Sequence, residues 1–321
     1  MRRILPARGR TCFCTVRRWS SKHRPLSTQP LEDHLDVISS TSPLSNTRNE
    51  AVVIRSHPQF RNAKIVECVD SKVQYVDPCP SEAELAKIYD EDYNAAFGRD
   101  FGAGVPEFVS RRADAQLAFV EQNLDKVEVP GAVVEVGAGW GALSKAVQEK
   151  WGIKVQCYEL DSDAVAFARK RGVDAKIGTL ENDDEVPPAS LDLILSSMML
   201  EHVPRPFEAV VAWRRKLKVG GALFVEIPLE NPCPNWWGAD PERPYWVGHL
   251  TFFGRGHLEA LLDNAGFDVV NATCHDHPVS PGYVMPGDSI PYDVSKVPLH
   301  YDTKPSDSQF PKLLRLLATK R

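Results

Sequence analysis

The sequence predicts an α/β fold, a doubly wound and mostly parallel sheet with helices on both faces, preceded by a smaller hairpin and helical extension. Three observations predict it. From Ala132 onward, short apolar runs alternate with helix-length runs, the pattern that a parallel sheet with crossover helices produces. The first apolar run passes directly into three alternate glycines, Gly137, Gly139 and Gly141, in VVEVGAGWG. The second ends on an acid, Glu159, 22 positions after Gly137.

The elements follow in order. Residues 1–31 carry eight basic side chains and six Ser or Thr, and the first acid is Glu32. Without a continuous apolar segment, that composition reads as an organelle transit peptide, mitochondrial first and plastid second. Residues 32–63 are polar at their start and are expected to be a linker. Residues 64–128 are expected to hold a hairpin over Lys64 to Pro80 and two helices. Ser81 and Glu84 form the capping-box spacing that starts the first of these helices, and residues 107–124 read as the second.

Residues 129–276 hold the main domain. AVVEV, KVQCYEL, DAKIGT, LDLILSS, GALFVEIP and FDVVNATC read as strands. GALSKAVQEKW, SDAVAFARKRG, PFEAVVAWRRKLK and GRGHLEALLDNAG read as helices, the third stopping at Gly220-Gly221. Residues 277–321 are Pro-rich and are expected to be a C-terminal extension.

Composition excludes several classes. Beyond residue 31 the chain has 30 basic against 43 acidic side chains, a formal charge of −13. Affinity for a phosphate backbone comes mainly from Lys and Arg, so nucleic acid is a poor match. No run of eighteen apolar residues occurs, so no transmembrane segment is expected. The seven cysteines are scattered apart from one close pair, Cys12 and Cys14, so neither a disulfide framework nor a zinc site is signalled.

The glycines point to a ligand lying against bare backbone at the carboxyl end of a strand, where open α/β sheets bind ligands. Amides at the start of the following helix favour a negative group there. Two cofactor classes use such a turn. With Ala142 the residues satisfy G-x-G-x-x-A, a dinucleotide pattern; with Glu135 they satisfy E-x-G-x-G-x-G, a methyltransferase pattern. A carboxylate at Glu159 serves either, by accepting hydrogen bonds from two ribose hydroxyls.

Later segments separate the two. LDLILSSMMLEHVPRP, a helix, then LKVGGALFVEIP resemble the post-motif region of class I S-adenosylmethionine-dependent methyltransferases. YELDSDAVAFARKRGVDAKIGTLE, GHLTFF…LLDNAGF and DPCPSEAELAKIYDEDY are similar to the small-molecule branch that contains the ubiquinone-pathway O-methyltransferases and bacterial tailoring enzymes. The resemblance covers about residues 64–276. It implies a seven-stranded Rossmann-like sheet, S-adenosylmethionine as cofactor and a small-molecule methyl acceptor.

Residue by residue, it implies that Gly137, Ala138 and Gly139 line the methionine end of the cofactor and that Glu135 organises the loop. Glu159 would hold the ribose and Leu160 flank the adenine. Thr179, Leu180 and Glu181 would sit at the adenine edge, and Ser197 or Met198 near the sulfonium. Many members have Asp where Thr179 stands, with Glu181 as its replacement here. Metal-using relatives carry a further carboxylate three residues before the Glu-His pair; Met198 occupies that position beside Glu201 and His202, and no metal is expected.

Methyl transfer needs alignment and, for some acceptors, a base. His202 and His249 are the candidates, and Trp236, Trp237, Tyr245 and Trp246 of the 231–253 segment are expected to form a flat acceptor pocket. A methyltransferase-like organelle scaffold without turnover is the competing reading, and a nicotinamide oxidoreductase the third.

Overall fold

The structure, a computed structural model, describes residues 36–57, 60–87, 100–124, 129–230, 248–275 and 313–321. The main sheet has seven strands. In chain order they are β5 (Val133–Val136), β6 (Val155–Glu159), β7 (Asp174–Ile177), β8 (Leu191–Ser197), β9 (Leu217–Pro228), β11 (Phe267–His275) and β12 (Leu313–Lys320). Their spatial order is β11-β12-β9-β8-β5-β6-β7. Pairings within β9-β8-β5-β6-β7 are parallel, and β12 runs antiparallel between β9 and β11. Strand order therefore reverses beside β5, which makes its carboxyl end the switch point where ligands bind.

The strands are apolar on both sides because helices cover both faces. On one face α2 (Glu107–Asn123) and α3 (Ala142–Trp151) set Leu117, Val120, Leu143 and Val147 against Leu193, Leu195, Phe224 and Leu317. On the other, α5 (Pro206–Lys216) and α6 (Arg255–Asn264) bury Trp213, Leu258, Leu261 and Leu262 against Ile194, Leu223, Val225, Leu314 and Leu316. Pro206 takes the first position of α5, where a missing N–H costs nothing. Asp161 caps α4 (Ser162–Lys170), accepting from Asp163 N at 2.8 Å and Ala164 N at 3.2 Å.

A second, antiparallel sheet has the order β1-β2-β3-β4-β10. Its strands are β1 (Val37–Thr41), β2 (Arg48–Ser56), β3 (Lys64–Cys68), β4 (Gln74–Asp77) and β10 (Thr251–Phe252). The expected hairpin is β3–β4, and α1 (Glu82–Lys87) starts with the expected capping box, Ser81 N and Oγ both donating to Glu84 Oε2.

Three boundaries differ from the sequence reading. The expected linker, 32–63, contains β1 and β2, whose polar side chains line an exposed edge while Ser40 and Ala51 are buried. The expected C-terminal extension supplies β12, so the main domain does not end at 276. Finally, α5 stops at Lys216 rather than at Gly220-Gly221, and β9 begins at once. The glycines sit instead at a register break, since Leu191 faces Leu217 but Leu193 faces Ala222.

Leu316 is fully buried in β12, so Leu316→Ala is expected to lower unfolding stability by about 2–5 kcal/mol. Denaturant unfolding checks this; an unchanged midpoint would mean that β12 is not part of the folded core.

Candidate functional site

The turn after β5 is built by backbone demands. Gly137, Gly139 and Gly141 have φ of +70°, +50° and +62°. A Cβ on Gly137 would also lie 2.3 Å from Met199 Cγ, and one on Gly141 3.1 Å from Ala168 Cβ. Only glycine meets both conditions at Gly137. The amides of Gly137 and Ala138 donate to Tyr158 O at 2.9 and 3.1 Å, which holds the loop over the end of β6.

Glu135 lies beneath this loop, 3% exposed. Its Oε2 accepts from Ser144 N at 2.9 Å and Ser144 Oγ at 2.5 Å. The start of α3 has no side-chain cap of its own, so Glu135 supplies one from the preceding strand. Burial pushes its carboxyl up to about 7, against the lowering effect of the two Ser144 bonds.

Glu159 ties the loop to the start of α4. Its Oε2 accepts from Gly139 N at 2.7 Å, and its Oε1 from Leu160 N at 2.7 Å and Asp161 N at 3.2 Å. Beside it stand two apolar side chains in water, Leu160 at 55% and Ile177 at 61% exposure. Ile177 faces Glu159 in register across β6–β7. A carboxylate flanked by exposed aliphatic surface suits a sugar with an attached flat ring. The sequence reading missed Ile177, although an apolar residue before Gly178 at a strand's carboxyl end was a usable signal.

Leu180 and Glu181 lie differently from expectation. Leu180 is fully buried in the core. Glu181 Oε1 accepts from Trp213 Nε1 at 2.6 Å, so that oxygen is engaged inside the protein. Thr179 is half-buried before the short turn 180–182, and its side chain does not cap that turn.

At the end of β8, Ser197 Oγ accepts from Gln116 Nε2 at 2.7 Å. Met198 takes a left-handed backbone, φ +50°, which side-chain-bearing residues rarely adopt and which clusters at functional turns. Its N–H donates to Glu226 O at 2.8 Å. Met199, rather than Met198, fills the space above Gly137.

The two predicted histidines meet. His202 and His249 lie ring to ring at 4.5 Å, edge to face. Leu250 N donates to Glu201 O at 2.8 Å, which draws the chain beyond the 231–247 segment onto the turn that carries His202. His202 Nδ1–H donates to Gly248 O at 3.0 Å; His249 Nδ1 is 2.9 and 2.8 Å from the two oxygens of buried Glu230. A carbonyl oxygen can only accept, so the Gly248 contact puts the His202 proton on Nδ1. Burial pushes His249 down to about 3, so the ring is neutral in the physiological range.

Glu201 completes a group. It is fully buried, neither carboxylate oxygen has a hydrogen-bond partner, and burial raises its pKa well above the usual range. Glu201, His202 and His249 can each present one ligand atom within 4.8 Å of the others. The expectation of no metal rested on a count of two ligands; the fold brings a third from 47 residues further along the chain. Two imidazoles, each held at Nδ1 by Gly248 O or Glu230, and one carboxylate fit a transition-metal ion better than magnesium or calcium. Trp236, Trp237, Tyr245 and Trp246 lie outside the described residues.

The sequence reading also missed a buried charge cluster. Glu226, fully buried on β9, accepts on Oε1 from Arg112 and from Gln116 Nε2 at 2.7 Å, and on Oε2 from Arg315. Burial alone would raise its carboxyl, but the two guanidinium groups hold it far below the usual range. The glutamate in GALFVEIP, alone in an apolar strand, was the available signal.

A doubly wound sheet with a glycine turn at its switch point and an acid at the end of the next strand defines a nucleotide-type cofactor fold. Residues 107–272 match a family model described as a methyltransferase domain, and the chain belongs to that family. Trans-aconitate 2-methyltransferase of Mycolicibacterium gilvum is 29% identical over 107 residues, 33% of this chain and 41% of that protein. Ubiquinone biosynthesis O-methyltransferase of Xanthomonas campestris is 36% identical over 115 residues, 34% of this chain and 48% of that protein. The chain thus spans about half or less of the length of these curated relatives. A chain from the Haloferax volcanii complex of the Trm112 methyltransferase activator with a methyltransferase shares the fold. Its TM-score is 0.50 at 16% identity, over 71% of this chain and 96% of that one.

The Glu135 shift carries a pH signature. The folded carboxyl keeps its proton up to about 7, while the unfolded one releases it near 4.5. The native state binds more protons in between, so this group's contribution to stability falls as pH rises from about 4.5 to 7. Glu135→Gln is expected to remove that decline, read as a flatter stability–pH curve by denaturant unfolding; parallel curves would contradict the buried, proton-holding role.

Proposed function

We propose that the protein is an S-adenosylmethionine-dependent methyltransferase acting on a small-molecule acceptor. The observation that carries this reading is the Gly137 turn at the carboxyl end of β5, a run of glycines in left-handed backbone tied through Gly139 N–H to Glu159. When bound, the cofactor supplies an electrophilic methyl group for a one-step displacement. The chain's part is to hold and orient. Backbone at Gly137, Ala138 and Gly139 takes the amino-acid end, Glu159 the ribose hydroxyls, and Leu160 with Ile177 the adenine. Two of the three backbone amides on Glu159 use Oε1 and only Gly139 uses Oε2, so Oε2 keeps a lone pair for a ribose hydroxyl. Ser197 and Met198 lie at the methyl end. The relatives named for trans-aconitate and for ubiquinone biosynthesis support a small organic acceptor.

Isothermal titration of the protein tests the cofactor class. S-adenosylmethionine is expected to bind and NAD not to. Glu159→Ala removes charge-assisted hydrogen bonds worth about 1.5–3 kcal/mol each, so the dissociation constant should rise about tenfold or more. Unchanged affinity would remove Glu159 from the ribose site. A protein that binds the cofactor but turns over no acceptor in a broad screen would instead match the scaffold reading.

His249 supports two roles. As a neutral imidazole held at Nδ1 by Glu230, with His202 beside it, it is a candidate proton acceptor. The unpartnered oxygens of Glu201 favour the second role, in which Glu201, His202 and His249 hold a divalent transition-metal ion. For the base, His249→Ala lowers turnover about 10²–10⁴-fold with cofactor affinity retained and no sensitivity to chelators. For the metal centre, chelation abolishes turnover, added Zn²⁺ or Mn²⁺ restores it, and the variant loses bound metal by elemental analysis.

We also infer that residues 1–31 are an import signal for mitochondria, on their basic, acid-free composition. A fluorescent reporter carrying them should enter the organelle, and a diffuse cytosolic signal would reject the address.

A further inference from the structure

Arg315 does not have the surroundings that a purely structural buried arginine has. It is 3% exposed, its Nε is used by Glu226, and its Nη2 is buried with no hydrogen-bond partner. Buried donors in native proteins are almost always satisfied, and an orphaned one calls for a reason. The charges around it do not balance either. Arg112 and Arg315 both donate to one carboxylate, Glu226, whose remaining contact is the neutral amide of Gln116. The buried Glu201 carboxyl also lies in the field of Arg112, but burial holds its proton. One positive charge is left over in a place where desolvating a charge is expensive.

The cluster lies at the end of β8, where Met198 N donates to Glu226 O. Ser197, Glu226 and Arg315 stand in one register row across β8, β9 and β12, on the face covered by α2. Gln116 links the row, donating to both Ser197 and Glu226 at 2.7 Å. Two strand spacings separate Arg315 from Ser197, about 10 Å, which is the length of a small organic acid. Arg112 is the open side of the cluster, with its side chain 14% exposed.

We propose that Arg315, aimed by Glu226 and supported by Arg112, receives a carboxylate group of the methyl acceptor, so that the acceptor is a carboxylate-bearing small molecule. The assignment of this anion as the acceptor rests on the methyltransferase reading. A planar carboxylate matches an N–H of the guanidinium fork, and its single negative charge cancels the surplus. A phosphate dianion would overshoot it, leaving a buried negative charge.

The test uses the full chain saturated with S-adenosylhomocysteine, with benzoate and succinate as probes and benzamide and succinamide as uncharged counterparts. Calorimetry and thermal unfolding at constant ionic strength, set with sodium chloride, read the effect. At least one of the two carboxylates is expected to bind saturably and raise the unfolding temperature, and neither amide to do so. Arg315→Met removes the surplus charge and leaves Arg112 and Glu226 as a neutral pair. It is expected to fold, to be at least as stable as the parent without probe, and to bind the carboxylate at least tenfold more weakly. Arg315→Lys keeps the charge without the fork and is expected to fall between. Absence of binding by both carboxylates, equal binding by Arg315→Met and the parent, or tighter binding of inorganic phosphate would each overturn the proposal. S-adenosylhomocysteine titration of the same samples separates the two readings. Cofactor binding without carboxylate binding sinks only this inference, whereas carboxylate binding without cofactor binding sinks the assignment of the anion as a methyl acceptor.

Discussion

Glu226 is the point at which three distant parts of the chain are joined. Its carboxylate sits in the sheet on β9 and takes donors from α2 through Arg112 and Gln116, and from β12 through Arg315. Its backbone carbonyl takes the amide of Met198, whose left-handed conformation shapes the end of β8. A carboxylate this deep requires its partners, because an unpaired buried charge costs several kcal/mol. Closing α2 over the sheet and inserting β12 beside β9 therefore belong to one electrostatic arrangement. The same arrangement leaves a guanidinium donor over.

The cofactor turn obeys a different constraint, one of space rather than charge. Met199 leaves no room for a side chain at Gly137, and Glu135 holds the start of α3 from beneath through Ser144. Glu159 then joins the loop to α4. The result is a backbone surface fixed on three sides before any ligand arrives, the preorganisation that lowers the cost of binding.

The small antiparallel sheet reaches the site through one short strand. β10 pairs with β4, and Val76 N donates to Leu250 O while Leu250 N donates to Glu201 O. His249 is thereby seated between Glu230 and His202. The N-terminal strands thus help to position a residue of the candidate centre without contributing a side chain to it.

The alternation of strands and helices, the glycine turn, and the acids Glu135 and Glu159 were legible in the sequence. They depend on local rules, namely apolar periodicity, the restriction of positive φ to glycine, and the fixed place of a strand's carboxyl end. The histidines were visible as candidates, but their meeting was not, since it depends on a hydrogen bond between Leu250 and Glu201 that no spacing encodes. β12 could not be read either. Its eight residues follow a long Pro-rich stretch, and their place between β9 and β11 is decided by long-range pairing. The bond from Trp213 to Glu181 and the burial of Leu180 are likewise tertiary facts that sequence proximity to the strand end does not encode. The surplus charge at Arg315 is wholly a tertiary fact, because only the pairing of two strands and the packing of one helix bring two arginines to a single glutamate.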